Sequence, residues 1–222
     1  IETADLKGLS TTQASSLSSS QLGNLSSSQV QALTVDQVKS LTLSKLGSAQ
    51  IANLSSSQVQ GLTTSQLDAL ATASTTVFQA IQTVDLQALN QSALTALSST
   101  VLQALSSSQL QGLSATQIGK LTTTQLNALS TDVLQALDVT KASGAQIAGL
   151  TTDQVAALTT DQAKALELSD LQKLKTESVA ALKTESLRLL TTDQLSGLGA
   201  TQVGSLTTTQ VKALTTNQAR GL

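Results

Sequence analysis

Residues 150–165 read LTTDQVAALTTDQAKA, which is one eight-residue unit written twice in succession. The same unit returns as LSSSQVQA from Leu25 and as LTTTQVKA from Leu206. When the 222-residue chain is aligned on its leucines, it divides into 26 such octads with little left over. Self-similarity at a short fixed period is the sequence signature of a repeat architecture. We therefore predict a single octapeptide-repeat solenoid segment over residues 1–222.

Three short insertions interrupt the octads: LTLSK at 41–45, LAT at 70–72 and LDVTK at 137–141. The first and third are near copies of one another, which indicates a higher-order repeat. Such an insertion could mark a lateral contact between neighbouring rods, or it could reset the superhelical phase. The sequence supports both interpretations equally.

Each octad carries the start signal of a helix. Position 2 is Ser or Thr in 18 of the 26 octads, and position 5 is Gln in 17. A Ser or Thr followed three residues later by Gln, as in Thr151 and Gln154, is a capping box that satisfies backbone N–H groups of the first turn. The apolar residues at positions 1 and 6, such as Leu150 and Val155, match the accompanying hydrophobic staple. Both rules predict that a helix begins at position 2 of every octad.

The charged residues favour the same phase. Of the 14 acidic residues, 12 lie at positions 2 to 5, and 8 of the 12 basic residues lie at positions 7 or 8. Acids at a helix start and bases at a helix end are favoured by the helix dipole, by about 0.3–1 kcal/mol each. Because this pattern repeats in every octad, each octad is predicted to form one short helix.

Two other architectures fit the octad poorly. In one long helix, the leucines would drift by about 80° per octad and leave any single face. In a strand, positions 1 and 6 would point to opposite faces. Since isolated helices this short are unstable in water, stacking must stabilise them. The predicted fold is all-α, an α-solenoid of about 26 very short helices, with positions 1 and 6 in a narrow core.

Small residues at position 8 should help successive helices to pack. Position 8 is usually Ala, Gly or another small or flexible residue. Glycine would permit both a sharp turn and a close approach of neighbouring helices. The glycines that suggest this role are Gly61, Gly112, Gly149 and Gly197.

The composition excludes much chemistry. The chain has no His, Cys, Met, Trp, Tyr or Pro, and one Phe. Without His or Cys there is no imidazole base, thiolate nucleophile or usual zinc site. A net charge of −2 and the lack of aromatic side chains argue against nucleic-acid binding. No apolar run approaches the roughly 18 residues of a membrane span. We expect no enzyme activity, no cofactor and no metal.

Individual candidate residues have simpler explanations. Asp153, Asp161 and Asp193 could suggest a calcium ladder, but no octad carries the clustered Asp and Gly of a calcium loop. Helix capping and the dipole explain these carboxylates. Rows of Ser and Thr at positions 2 and 3 could present hydroxyls to a ligand, although capping accounts for position 2. Phe78 stands at position 6 and is predicted to lie in the core. We assign no catalytic, cofactor-binding or metal-binding residue.

The stretch from Glu167 to Arg188 departs most from the consensus. Lys175 and Lys183 replace the capping residue, and Ser178 and Ser186 replace Gln. The stretch holds eight charged residues: Glu167, Asp170, Lys173, Lys175, Glu177, Lys183, Glu185 and Arg188. It could be a partner-docking patch, but mixed charges at helical spacing more often form a solvated face.

The tracts LTTDQVAALTTDQAKAL and LSSSQVQGLTTSQLDAL are typical of the chain. They resemble the short Leu/Ser/Thr/Gln repeats of very large bacterial cell-surface and extracellular proteins, including adhesin-like ones. The resemblance covers the whole chain and implies a secreted bacterial structural or adhesive protein. The chain has none of the glycine-rich calcium motifs that some of these proteins carry.

Two classes of function follow. The first is a structural protein: a rod segment of a surface adhesin, or a self-assembling subunit of an extracellular filament. The second is a binding module whose Ser/Thr/Gln face recognises a glycan, an ice or mineral surface, or a partner protein. The first residue is Ile1 and neither terminal octad has a polar cap. We therefore expect a piece of a longer protein whose partners are copies of itself or the continuation of the chain at both ends.

The capping boxes, the staples and the charge pattern together predict a helical chain. Circular dichroism of the purified protein should show predominantly helical signal. A spectrum dominated by β-structure would contradict the assignment of one helix to each octad.

Overall fold

A computed structural model describes residues 2–222, which fall into two compact units, residues 1–120 and 121–222. Among the described residues there are 26 α-helices, two 3₁₀ turns and no strands, so the all-α prediction is confirmed. The prediction that residues 1–222 form one continuous solenoid segment stays a prediction.

In the first unit the helices are α1 Thr3–Gly8, α2 Thr11–Ser15, α3 Ser19–Gly23, α4 Ser27–Ala32, α5 Val35–Ser40, α6 Ser48–Ile51, α7 Ser56–Gln60, α8 Thr64–Ala73, α9 Thr75–Phe78, α10 Thr83–Gln87, α11 Gln91–Thr95, α12 Ser99–Ala104, α13 Ser107–Gly112 and α14 Ala115–Lys120. In the second unit they are α15 Thr123–Ala128, α16 Thr131–Leu134, α17 Gly144–Ala148, α18 Thr152–Ala157, α19 Thr160–Ala165, α20 Leu168–Leu171, α21 Thr176–Ala181, α22 Thr184–Leu189, α23 Thr192–Ser196, α24 Ala200–Gly204, α25 Thr208–Ala213 and α26 Thr216–Gly221. The 3₁₀ turns are Leu43–Lys45 and Val139–Lys141.

Two extended residues connect α4 to α5. Leu33 has φ −61° and ψ 137°, and Thr34 has φ −72° and ψ 159°. Thr34 is the N-cap of α5, so position 2 begins the helix as predicted. No residue between 2 and 222 has a positive φ. The turn between helices therefore needs no left-handed residue, and Gly is not required for backbone freedom.

Each helix packs on the helix one turn of the solenoid away. In the first unit α1 packs on α4, and α2 packs on α5. In the second unit α18 packs on α21, α19 on α22, and α23 on α26. Both units are therefore α-solenoids with three octads per turn.

The core is built from positions 1 and 6. Leu150 and Val155 are 3% and 1% exposed, and Phe78 is completely buried. The prediction that Phe78 is a core residue is thus confirmed. Position 6 is buried in every octad up to Leu195 and becomes more exposed only in the last three.

The insertions are accommodated in two ways. The 3₁₀ turn Leu43–Lys45 packs against α3 and α8, so it takes the place of one helix in the three-per-turn order. The turn Val139–Lys141 packs against α19 in the same manner. Each five-residue insertion is therefore a shortened octad that keeps a buried residue, Leu43 or Val139. LAT instead lengthens α8 to 10 residues, and α8 packs on both α9 and α12. A lateral contact at an insertion stays a prediction.

Position 8 needs a small side chain because helices of adjacent turns approach closely there. A Cβ added to Gly149 would lie 2.8 Å from Cγ2 of Thr123 in the turn below. Gly61, Gly112 and Gly197 likewise face a side chain at position 3 of the adjacent turn, namely Val35, Thr83 and Leu168. The predicted close approach is confirmed at all four glycines.

The core position and the surface carboxylate of α18 allow a direct comparison of stabilities. Val155→Asp should lower the free energy of unfolding by about 3–5 kcal/mol, because it buries an unpaired charge in a core only a few side chains wide. Asp153→Asn should change it by less than about 0.5 kcal/mol, because Asp153 is exposed. Urea unfolding followed by circular dichroism measures both. Equal losses would show that position 6 is not interior.

Candidate functional site

The glutamine at position 5 does more than cap its own helix. In α5, the backbone N–H of Thr34 donates to Oε1 of Gln37 at 2.8 Å, and the N–H of Gln37 donates to Oγ1 of Thr34 at 3.2 Å. This is the predicted capping box. It uses only the carbonyl half of the Gln37 amide, which leaves the NH₂ group to bind elsewhere.

The NH₂ group binds the turn below. Nε2 of Gln37 donates to the carbonyls of Leu6 and Leu9, at 2.7 Å each. These two carbonyls flank the junction between α1 and α2. The same pattern, at 2.7–3.1 Å, joins Gln58 to Val30 and Leu33, Gln66 to Val38 and Leu41, Gln154 to Leu126 and Leu129, Gln162 to Leu134 and Leu137, Gln202 to Leu171 and Leu174, Gln210 to Ala180 and Leu182, and Gln218 to Leu187 and Leu190. We call this set of bonds the glutamine ladder.

The ladder provides hydrogen-bond partners for backbone groups at both ends of the helices. A helix leaves its first N–H groups and last carbonyls without partners in the helix itself. One buried amide, such as that of Gln37 at 2% exposure, satisfies an N–H of its own helix and carbonyls of the turn below. A hydrogen bond of this kind contributes about 0.5–1.5 kcal/mol, and a buried group left unpaired costs about 1–3 kcal/mol. The ladder therefore fixes each turn on the one before it.

Four octads without Gln at position 5 are tied in the opposite direction. Their glutamine stands at position 7 and donates upward to the position 8 carbonyl of an octad in the next turn. Gln79 reaches the carbonyl of Ala104 at 3.0 Å, and Gln172 reaches that of Gly197 at 2.7 Å. Gln135 binds Ala157 and Gln87 binds Gly112 in the same way. Loss of a downward bond is thus matched by an upward one.

Lysine takes over the donor role at two other places. Nζ of Lys183 donates to the carbonyl of Leu158 at 3.2 Å. A glutamine at residue 186 would donate to this same carbonyl, because ladder bonds span 28 residues in other octads. Lys45, in the first 3₁₀ turn, approaches the carbonyl of Leu17 at 3.4 Å. The capping half of the amide is lost in α22, where Ser186 replaces Gln. The buried Oγ of Ser186 has no hydrogen-bond partner among the described residues.

The structure places the candidate carboxylates apart. Asp153, Asp161 and Asp193 lie in the first turns of α18, α19 and α23. Within residues 2–222, no three His, Cys, Asp or Glu side chains come together as a metal site would require. The buried carboxylate Asp85, which the sequence did not single out, accepts a hydrogen bond from the hydroxyl of Ser56 at 2.6 Å. It joins α10 to α7, so its role is the same as that of the ladder.

The charged stretch from Glu167 to Arg188 covers α20, α21 and α22, and all of its charged side chains except Asp170 are exposed. At Glu177, the hydrogen bond from its own backbone N–H holds the pKa below its ordinary value; desolvation opposes this effect, and the hydroxyl of Thr176 and the charge of Lys175 add to it. At the second 3₁₀ turn, the hydroxyl of Thr140 lowers the pKa of Asp138. These local bonds are capping interactions and do not form a reactive centre.

A comparison of Gln154 with Gln13 separates the contribution of the amide oxygen from that of the NH₂ group. Both accept the N-cap N–H through Oε1, but only Gln154 donates to carbonyls below it. Gln154→Glu should lower the free energy of unfolding by about 2–3 kcal/mol at neutral pH, because a carboxylate replaces the donor. Gln13→Glu should cost less than about 0.5 kcal/mol, because Gln13 is exposed and keeps its acceptor.

The pH dependence gives a second readout of the same pair. Carbonyl oxygens around the introduced carboxyl at 154 should raise its pKa above that in the unfolded chain. The loss is therefore greatest above the raised folded pKa and shrinks as the pH falls through it, because the protonated acid can donate again. Thermal or urea unfolding between pH 4 and 8 checks this on a scale of about 1 kcal/mol or more. Equal, pH-independent effects at residues 13 and 154 would contradict the ladder.

The comparisons with known proteins agree with this repeated geometry. The family model ALTTAQ repeat matches residues 1–35, 143–168, 163–200 and 179–216. Residues 36–142 lie outside these matches, although they carry the same octads and the same ladder. No curated protein matches the chain. No helix within residues 2–222 is long and apolar enough to cross a membrane. The chain is a repeat-containing protein, and stretches in both of its units are similar to the ALTTAQ repeat.

Proposed function

We propose that this chain is a structural rod segment of a bacterial cell-surface adhesin or extracellular filament, located outside the cell and without catalytic activity. The observation that carries the proposal is the glutamine ladder. Every ladder bond joins residues 25–31 positions apart, from one turn to the adjacent one. Structure of this kind can be extended turn by turn without a change in what has already formed.

The resemblance of its tracts to repeats of very large bacterial surface proteins supports the proposed location. A spacer must also tolerate an aqueous environment along its whole length. Ser and Thr at positions 2 and 3 are largely exposed, and most of the buried apolar side chains stand at positions 1 and 6. The match to the ALTTAQ repeat model supports a structural repeat protein. The extracellular role is proposed in addition.

The two outermost turns support stacking on a further turn. In the first turn, Gln13 and Gln21 are exposed, and their Nε2 groups make no bond to any described residue. In the last turn, Val211 and Leu222 are 51% and 48% exposed. These are the donors and apolar groups that an adjacent turn covers elsewhere in each unit. A second copy stacked on either of these turns would supply acceptors and apolar contacts of the same kind.

Labelling of the cells that produce the protein tests the proposed location. Antibodies raised against the purified chain should label intact cells, and electron microscopy of the labelled material should show elongated structures. A cytoplasmic protein of the same cells serves as the control and should be labelled only after permeabilisation. If this chain also needs permeabilisation, the extracellular role is wrong.

A further inference from the structure

One face of the second unit carries a column of cations. The helices α19, α22 and α25 stack on one another in successive turns. Lys164, Arg188 and Lys212 occupy position 7 of these three octads and are all exposed. Because stacked helices lie roughly 8–10 Å apart, the three cations follow one another at about that interval.

A column of acids runs beside the cations. Asp161 and Glu185 occupy position 4 of the first two octads, three residues before Lys164 and Arg188, and are also exposed. Three residues of helix correspond to about 4.5 Å along its axis. None of these four side chains makes a hydrogen bond or an ion pair with another described residue. We call this arrangement the paired-column face.

The adjacent face of the same unit lacks this arrangement. It is formed by α18, α21 and α24, and it carries Asp153 and Glu177 at position 4. Its residues at position 7 are Ala156, Ala180 and Gly204. The acids alone are therefore explained by the helix dipole, as they are in many octads. The full column of cations beside the acids is what distinguishes the paired-column face.

The paired-column face also carries an apolar side chain in an unusual place. Leu189 stands at position 8, where most octads have Ala or Gly, and it is 47% exposed. It lines a shallow groove of about 260 Å³ together with Glu185, Arg188 and Thr215. An exposed leucine between opposite charges gives this face a small apolar contact as well as a charge pattern.

We propose that the paired-column face binds the same face of a second copy of this chain, with the two copies parallel. A two-fold axis along the columns exchanges their lateral positions, so Asp161 lies opposite Lys164 of the second copy and Glu185 lies opposite its Arg188. A two-fold axis across the columns would place acid on acid and base on base. Only the parallel arrangement makes the face complementary to itself.

The charge pattern selects this partner over a polyanion. An anionic polymer lying along the cations would also approach Asp161 and Glu185, which repel it. A second copy presents opposite charges to both columns. Exposed ion pairs are individually weak and are screened by salt, so the contact is weak and salt-dependent. A two-fold contact of this type closes at two copies, unlike head-to-tail stacking.

Charge reversal in the full chain tests the contact. Sedimentation velocity of the unaltered protein in 20 mM NaCl should show a closed dimer that dissociates in 500 mM NaCl. Two variants, Lys164→Glu/Arg188→Glu/Lys212→Glu and Asp161→Lys/Glu185→Lys, should each be monomeric at low salt. Their equimolar mixture should restore a dimer, because one face is then wholly acidic and the other wholly basic.

A matched control comes from the adjacent face. Asp153→Lys/Glu177→Lys reverses two acids at the same octad position and should leave the dimer unchanged. The proposal is overturned if the unaltered protein is monomeric at low salt, if the control disrupts the dimer equally, or if the two reversed variants fail to bind each other. An open-ended series of larger species that both charge-reversed variants still form would report stacking at the outermost turns alone and would also overturn the lateral contact. Circular dichroism of each variant verifies that it is folded.

Discussion

The structure depends on one constraint: helices of about six residues have nearly all of their backbone groups near an end. In a long helix the unpaired N–H and carbonyl groups are a minor fraction, but here they are the majority. In an octad with Gln at position 5, a single side chain pairs several of these backbone groups. The amide of Gln37 accepts from its own N-cap and donates to the junction of the turn below. Apolar packing at positions 1 and 6 then adds the burial that such short helices lack.

Much of this fold follows from the sequence. Thr151 and Gln154 identify the helix start, Leu150 and Val155 identify the core, and Gly149 identifies the close approach of adjacent turns. Those features are local or depend only on periodicity. The capping box was expected from the spacing of Thr and Gln, and it is formed at 3.2 Å in both directions. The structure confirms these predictions because they depend only on neighbouring residues or on the repeat period.

The hydrogen bonds that the glutamine NH₂ group donates to the adjacent turn could not be predicted in the same way. Its acceptors, such as the carbonyls of Leu126 and Leu129, lie 25–28 residues earlier and belong to the backbone, so no residue type marks them. One signal was available: Glu can also close a capping box, yet it never stands at position 5. That preference indicates a need for the NH₂ group. The 3₁₀ turn at Leu43–Lys45 was also misleading, because an apparent interruption is a shortened repeat.

Backbone acceptors have a consequence for how such a chain can change in length. A ladder glutamine needs a carbonyl at the right height, and every residue has one. An octad duplicated or lost elsewhere in the stack therefore meets the same acceptors as before, and no compensating substitution is required in the adjacent turn. A change in the number of ladder octads therefore leaves the acceptors of the remaining ladder bonds in place. The length of such a stack is thus less constrained by its hydrogen bonds than by its apolar contacts.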